Sequence, residues 1–300
     1  MQTPLQTSKK RWTILDLLKW TTGYFESHAV EDSRASAEVL LAHVLDLKRI
    51  DLYVRYDQPL GKNELTAFKA LIKRRIAREP VAYILGSREF WSMDLKVSEN
   101  VLIPRPETEC LVEAALGVLP ENALDAPKQV LELGTGSGAI VLALASERPA
   151  NSYFASDVSP TAVALARDNA RLHRLDDRIC FFAGAWFDPM DCNDLKFDLI
   201  ISNPPYIPTD DIKSLQPEIR KYEPCTALDG GPYGLDCLNL IIHRAVQYLA
   251  VHGVLLLEMG YDQKNAIAAI ANAAGCYDRV EFMKDYSGHD RMVTLRKKRI

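Results

Sequence analysis

Residues 202–208, Ser-Asn-Pro-Pro-Tyr-Ile-Pro, directly follow the apolar run Phe197-Asp198-Leu199-Ile200-Ile201. A polar amide, two prolines and a tyrosine at the tip of a buried strand face the crevice where open α/β sheets bind ligands. The Asn203 side-chain oxygen and the Pro204 carbonyl can each accept one hydrogen of a substrate NH2 group. Pro204 and Pro205 have fixed φ and no N–H, so the carbonyl is held with little competing local bonding. Two such acceptors orient the nitrogen, favour its pyramidalisation and aim its lone pair at an electrophile. The Tyr206 ring can pack on the flat face of the group that carries the nitrogen. Catalysis of this kind is orientation plus electrostatics that improve as positive charge builds on nitrogen. A sulfonium methyl group suits the geometry, and neither a metal nor a covalent nucleophile is needed. The plainer alternative is a Pro-Pro turn that merely ends a strand.

The second chemical stretch lies upstream. Val130-Leu131-Glu132-Leu133-Gly134-Thr135-Gly136-Ser137-Gly138-Ala139-Ile140 places three glycines between an expected strand and an expected helix. Glycine there lets the backbone turn sharply and approach a ligand closely. The spacing is GxGxG, and such a loop alone is shared by nicotinamide, flavin and sulfonium cofactors. Asp157 closes the next strand, where a carboxylate can accept both hydroxyls of a ribose. Together they point to an adenosine-type cofactor with a free 2′-hydroxyl. After the third strand, Trp186 in Ala183-Gly184-Ala185-Trp186-Phe187-Asp188 can cover an adenine face. Plainer roles are a tight turn for the glycines, the start of a helix for Asp157 and a core position for Trp186.

The surrounding elements must hold these residues in place. From about residue 128 the pattern runs strand, helix, strand, helix, which predicts a mostly parallel sheet with helices on both faces. The expected strands are Gln129–Leu133, Ser152–Asp157, Arg178–Ala183, Phe197–Ser202 and Gly253–Met259. Helices are expected from Gly138 to about Glu147, over Ser159–His173 and over Leu238–Leu249, with a last helix before an antiparallel edge pair in 280–297. Residues 1–85 read as a small helical domain. Ile14, Leu15, Leu17, Leu18 and Trp20 have helical spacing. Asp32 or Ser33 can start a helix whose Val39, Leu40, Val44 and Leu45 share a face. Leu65, Phe68, Leu71, Ile72 and Ile76 form a third stripe that ends before Pro80. Residues 86–105 form a linker with a hairpin turning at Ser92-Met93. The second, larger domain is then 106–300, opening on an amphipathic helix with Pro106 in its first turn. The cluster Lys73, Arg74, Arg75, Arg78 reads as a solvated polar face, or as a dock for an acidic partner or RNA.

Composition sets outer bounds. The chain has 300 residues, 48% hydrophobic and 25% charged, with a net charge of −4. That balance builds a full core and argues against a general nucleic-acid-coating surface. No uninterrupted apolar stretch is long enough to span a membrane. The first thirteen residues carry basic side chains but no apolar segment after them, so no secretory signal is expected. Cys110, Cys180, Cys192, Cys225, Cys237 and Cys276 form neither a CxxC pair nor a zinc spacing. Reduced thiols in a cytoplasmic protein are the simplest reading. Nothing suggests an obligate partner, and a monomer is expected.

Asn-Pro-Pro-Tyr at this position, with Glu-Leu-Gly-Thr-Gly-Ser-Gly-Ala-Ile upstream, resembles the class I S-adenosylmethionine (SAM)-dependent methyltransferases that modify amino groups on planar systems. Within these the chain resembles the peptide chain release factor N5-glutamine methyltransferases (PrmC/HemK family). The stretches EPVAYILGSREFWS, LIPRPETECLVEAAL, YEPCTALDGGPYGL and GVLLLEMG carry the likeness over nearly the whole chain. The resemblance implies a Rossmann-like fold and methylation of the glutamine side-chain amide in the Gly-Gly-Gln loop of class 1 release factors. It implies SAM as methyl donor, S-adenosylhomocysteine as product, and an N-terminal helical domain that helps to bind the release factor. It places SAM on Gly134, Thr135, Gly136, Ser137 and Gly138, its ribose on Asp157 and its adenine beside Trp186. Asn203, which also borders the cofactor, would hold the glutamine with Pro204, Pro205 and Tyr206. Ala185 stands where relatives often carry an acid, and Glu132 replaces the commoner Asp. Glu223-Pro224 and glycines 230, 231 and 234 match a family loop that first principles do not explain. Arg105 and Glu107 brace either the substrate or the fold.

Three competing readings differ in class. An adenine-N6 nucleic-acid methyltransferase could use the same tetrapeptide, but it must extract a base and grip phosphates, and no large basic region is present. A nicotinamide oxidoreductase explains the glycines and Asp157 but leaves Asn203 to Tyr206 idle. A binding module that has kept the fold has no need of Asn203.

Overall fold

The apolar runs become strands of one sheet because helices cover both of its faces. The computed structural model describes residues 11–121, 127–190 and 195–299. The stretch before Arg11 and Cys192, on which two of the expectations above rest, lie outside them. The chain divides into two compact units, Met1–Leu85 and Gly86–Ile300.

The first unit holds α1 (Ile14–Ser27), α2 (Ser33–Leu45), α3 (Arg49–Val54), α4 (Lys62–Ile76) and α5 (Val81–Leu85). Thr13 caps α1, accepting from the Asp16 N–H while the Asp16 carboxylate accepts from the Thr13 N–H. Asp32 stands at the N-cap of α2 with φ +48° and makes no side-chain cap bond. The buried face of α2 is Ser36, Ala37, Leu40 and Leu41, one position round from the expected stripe; Val39 is only half-buried. The α4 stripe lies as expected, with Phe68 and Ile72 buried and α4 ending at Ile76.

The basic cluster is a solvated face only in part: Lys73 and Arg74 are exposed, Arg75 is buried and Arg78 half-buried, and the three arginines are engaged within the unit. Arg74 binds the Glu79 carboxylate and the carbonyls of Tyr83 and Ile84. Buried Arg75 reaches the Ser36 hydroxyl and the Glu79 carbonyl. Arg78 donates to the Ala29 carbonyl. A guanidinium with five donors satisfies several carbonyls at once, which a charge count cannot reveal.

The second unit opens with β1 (Ser87–Phe90) and β2 (Met93–Lys96), an antiparallel hairpin. Its two turn residues are Trp91 and Ser92, at φ +51° and +57°, one residue earlier than expected. Next comes α6 (Thr108–Val118), with Glu107 at its N-cap, so Pro106 precedes the helix instead of lying in its first turn. Then follow β3 (Gln129–Leu133), α7 (Ala139–Glu147), β4 (Ser152–Asp157), α8 (Pro160–Leu172), β5 (Ile179–Ala183) and β6 (Phe197–Ser202). The unit is completed by α9 (Pro217–Tyr222), α10 (Asp236–Tyr248), β7 (Leu249–Glu258), α11 (Lys264–Ala274), β8 (Tyr277–Lys284) and β9 (Asp290–Lys297).

The sheet order is β5-β4-β3-β6-β7-β9-β8, parallel through β7 and antiparallel at β9 and β8. Alternate residues feed two cores: Val130, Leu199, Ile201 and Leu256 on one face, Leu131, Leu133, Ile200 and Leu257 on the other. The order reverses between β3 and β6, and a crevice opens there at the carboxyl ends of the strands. Gly134, Asp157 and Asn203 each sit at such an end.

Candidate active site

A cavity of about 630 Å³ occupies this crevice, a size typical of small-molecule sites. Gly134, Thr135, Gly136, Ser137, Asp157, Ala185, Trp186, Asn203 and Pro205 all line it. Three sequence-predicted residues do not. Gly138 is the N-cap of α7 at φ +85°, where a Cβ would press on Ala166 and Leu142 at 3.2 Å. Its role is helix packing. Pro204 is buried. Tyr206 packs its ring against the core, and its hydroxyl donates to Glu258 Oε1 at 3.1 Å.

The glycine loop is held by the acid after β4. Gly134 and Thr135 donate to the Ser156 carbonyl, and the Gly136 N–H donates to Asp157 Oδ2 at 2.9 Å. Asp157 Oδ1 accepts from the Ser159 N–H ahead of α8, so the helix-start role is also real. Burial raises the Asp157 carboxyl above its ordinary value against these two bonds. Gly134 (φ +72°) and Gly136 (φ +54°) have no atom within 4 Å of where a Cβ would stand, so the loop leaves room for a ligand beside its backbone. Beneath it, Glu132 is fully buried and accepts from the Thr135 hydroxyl at 2.6 Å and the Val141 N–H. Burial pushes its carboxyl up to about 8, and the charge of Asp157 adds to the rise.

Asn203 follows β6. An asparagine oxygen ordinarily captures a backbone N–H one or two residues on. Here residues 204 and 205 are both proline, so those N–H groups do not exist. The Asn203 nitrogen donates to Thr108 Oγ1 at 3.2 Å, and Thr108 Oγ1 donates to Glu258 Oε2 at 2.8 Å. No described residue donates to Asn203 Oδ1 or to the Pro204 carbonyl. Both acceptors are thus uncommitted, and of the two residues Asn203 lines the cavity.

A second layer of contacts explains the unassigned loop. The 228–231 segment runs along 207–209, with Ile207 N–H donating to the Leu228 carbonyl and Gly230 N–H to the Ile207 carbonyl. At Gly230 a Cβ would stand 2.8 Å from the Pro205 carbonyl oxygen. At Gly234 (φ +69°) it would stand 2.2 Å from the Tyr206 carbonyl oxygen. Gln263 donates to both the Tyr206 and Gly234 carbonyls. Buried Glu223 takes Arg105 at 2.6 Å and the Ile103 N–H at 3.3 Å, fixing the Ile103–Arg105 segment to this loop. Glu107 is exposed. Thr108 and Glu258 escaped sequence reasoning, and the one available signal was a lone acid inside the apolar run of β7.

Comparison with known proteins agrees with this geometry. The PrmC N-terminal domain model matches residues 16–86, and the methyltransferase small domain model matches residues 112–216. The release factor glutamine methyltransferase of Geobacter sulfurreducens is 44% identical over 282 residues, 94% of this chain and 96% of that protein. Those of Vibrio cholerae and Aliivibrio fischeri are 43% and 41% identical over 283 residues, again 94% of this chain and 96% of each protein. Among solved structures, the hMettl16 catalytic domain in complex with the MAT2A 3′UTR hairpin 6 aligns with TM-score 0.56 at 16% identity, covering 73% of this chain and 81% of that one. A methyltransferase from Pyrococcus furiosus aligns at 0.51 and 20% identity, covering 77% of this chain and 98% of that one. These structures share the fold. The relatives carry the family: the chain belongs to the release factor glutamine methyltransferases.

Proposed function

We propose that this enzyme methylates the side-chain amide nitrogen of the glutamine in the Gly-Gly-Gln loop of class 1 peptide chain release factors, using SAM. The observation that carries the reading is Asn203, which lines the same cavity as the glycine loop and whose amide nitrogen is committed to Thr108, leaving Oδ1 as an uncommitted acceptor; the neighbouring Pro204 carbonyl would be the second acceptor. Gly134, Thr135, Gly136 and Ser137 would border the methionine part of SAM, Asp157 its ribose and Trp186 its adenine. Open space at Gly134 and Gly136, with buried Glu132 and half-buried Asp157 beside it, fits a cationic ligand that carries hydroxyls. When bound, SAM supplies an electrophilic methyl group and leaves as S-adenosylhomocysteine.

This chain's residues supply position. Each acceptor takes one N–H of the glutamine amide, turning the nitrogen lone pair out of conjugation and toward the methyl carbon. Both bonds strengthen as positive charge grows on nitrogen, which favours the transition state over the ground state. An N-alkylated amide that still carries its extra proton is strongly acidic, so the proton passes to water after transfer without a dedicated base. Glu223 and the glycines behind Pro205 and Tyr206 keep the acceptors rigid. The helical unit would contribute release-factor binding. Adenine-N6 transfer is not favoured, because relatives alike over almost the full length are release factor enzymes.

A transfer assay with labelled SAM tests the reading, offering release factor, its loop Gln→Ala variant and duplex DNA in parallel. Label only on the unmutated release factor is the expected outcome. Label on DNA, or equal label on the variant, would overturn it.

A further inference from the structure

An amide has two ends of nearly equal shape but opposite hydrogen-bonding sense, so Asn203 can serve as an acceptor only if something fixes which end faces the crevice. The neighbouring chain cannot do so, because residues 204 and 205 offer no N–H. The buried pair Thr108 and Glu258 can. Both are almost inaccessible, at 5% and 1% exposure. They come from the first residue of α6 and the last of β7, 150 residues apart.

Proton counting gives the direction. Glu258 receives the Tyr206 hydroxyl proton on Oε1 at 3.1 Å and the Thr108 hydroxyl proton on Oε2 at 2.8 Å. Burial raises the Glu258 carboxyl, while the Thr108 and Tyr206 hydroxyls and the charge of Arg291 favour its ionised form; on that carboxylate Thr108 spends its one hydroxyl proton. Its oxygen can then only accept from Asn203, and it does so from the amide nitrogen at 3.2 Å. The amide oxygen is therefore turned to the crevice.

We propose that Thr108 and Glu258 are positioning residues that lock the Asn203 amide with its oxygen toward the substrate, an inference that rests on the glutamine reading above. With Glu258 ionised, the relay has a single sense. A group at residue 258 that could donate would free the Thr108 proton for the amide oxygen. Asn203 would then present N–H to N–H, and the substrate nitrogen would lose one of its two acceptors.

The test compares Thr108→Val, Thr108→Ser and Glu258→Gln in the full-length chain with purified release factor. Three readouts are taken: kcat and KM, calorimetric SAM affinity, and the NMR signal and hydrogen exchange of the Asn203 side-chain NH2. T108V should lower kcat about 10- to 100-fold, the scale for losing the group that orients a directly acting one, with SAM Kd within about twofold. T108S should restore most of kcat. E258Q should act in the same direction, and adding T108V to it should cost little more, since both changes cut one relay. The Asn203 NH2 should exchange faster in T108V than in the unmodified chain. Unchanged kcat and unchanged NH2 exchange in T108V would overturn the proposal. So would a kcat loss that T108S fails to restore, or one matched by an equal loss of SAM affinity. If the unmodified chain labels no release factor, the glutamine reading falls separately, and the NH2 signal of T108V still decides the orientation.

Discussion

Asp157 holds the glycine loop with one carboxylate oxygen and the start of α8 with the other, so its loss acts on the cofactor before the chemistry. Asp157→Ala should raise the SAM dissociation constant about 10- to 100-fold, the worth of one or two charged hydrogen bonds, as titration calorimetry would show. Asn203→Ala should behave oppositely. It should lower kcat by about 100-fold or more while SAM binding stays within about threefold. Equal loss of both would mean that Asn203 mainly builds the cofactor pocket. Glu132 gives a pH signature. Its ordinary value is 4.5 and burial raises it to about 8 in the fold, so the folded state holds that proton more tightly than the unfolded chain. The associated stability is present below about pH 4.5 and is lost as pH rises through about 8. Affinity for a cationic ligand should rise over the same upper range, as the carboxylate forms. Denaturation and SAM titrations across pH would show both trends in the unmodified chain and neither in Glu132→Gln. The residues that announce chemistry by type, such as Asn203 and Asp157, were legible in the sequence. Thr108 and Glu258 were not, because their meaning lies in partners 95 and 150 residues away. The direction of the Tyr206 ring was not legible: expected on the substrate group, it packs against the core.

At the scale of elements, the glycine loop behind the tetrapeptide works by close approach. Gly234→Ala combines a left-handed φ with a Cβ that would stand 2.2 Å from the Tyr206 carbonyl oxygen, so the loop must move or the fold must pay. A loss of about 2 kcal/mol or more, together with most transfer activity, is expected. A melting temperature and kcat like those of the unmodified chain would show that the loop has slack. The parallel strands were readable because burial on both faces writes an unbroken apolar run, as in Val254–Leu257 of β7. The end of α4 was readable because Pro80 follows it. The hairpin turn was misplaced by one residue, since Trp91 and Ser92 adopt positive φ without a glycine to announce it. The burial of Arg75 and the carbonyl bonds of Arg74 were unreadable for a similar reason: a carbonyl that needs a donor leaves no mark on its own residue type.

At the scale of the whole molecule, the two units have separate cores, and the helical unit has its own polar anchor. Glu38 is buried and receives Arg34, Arg49 and Tyr53. Burial alone would raise its carboxyl, but these bonds hold it at about 2. Its contribution is present above its ordinary 4.5 and fades as pH falls through about 2. Glu38→Ala should destabilise the helical unit by about 1–3 kcal/mol. Because every residue assigned to SAM lies in the other unit, SAM affinity should be kept while KM for the release factor rises. Calorimetric unfolding alongside SAM titration would check the separation, and a parallel loss of SAM binding would refute it.

The sheet order β7-β9-β8 has a consequence for synthesis on the ribosome. β9 follows β8 in the chain yet lies between β8 and β7. Until β9 has emerged, β8 has no place in the sheet, and the apolar β7 carries an open row of backbone donors and acceptors. That edge invites pairing with another chain. Glu258, the anchor of the amide relay, ends this same strand and pairs with Met292 of β9. The Asn203 amide therefore gains its final support only when the last strand of the sheet slides into its slot.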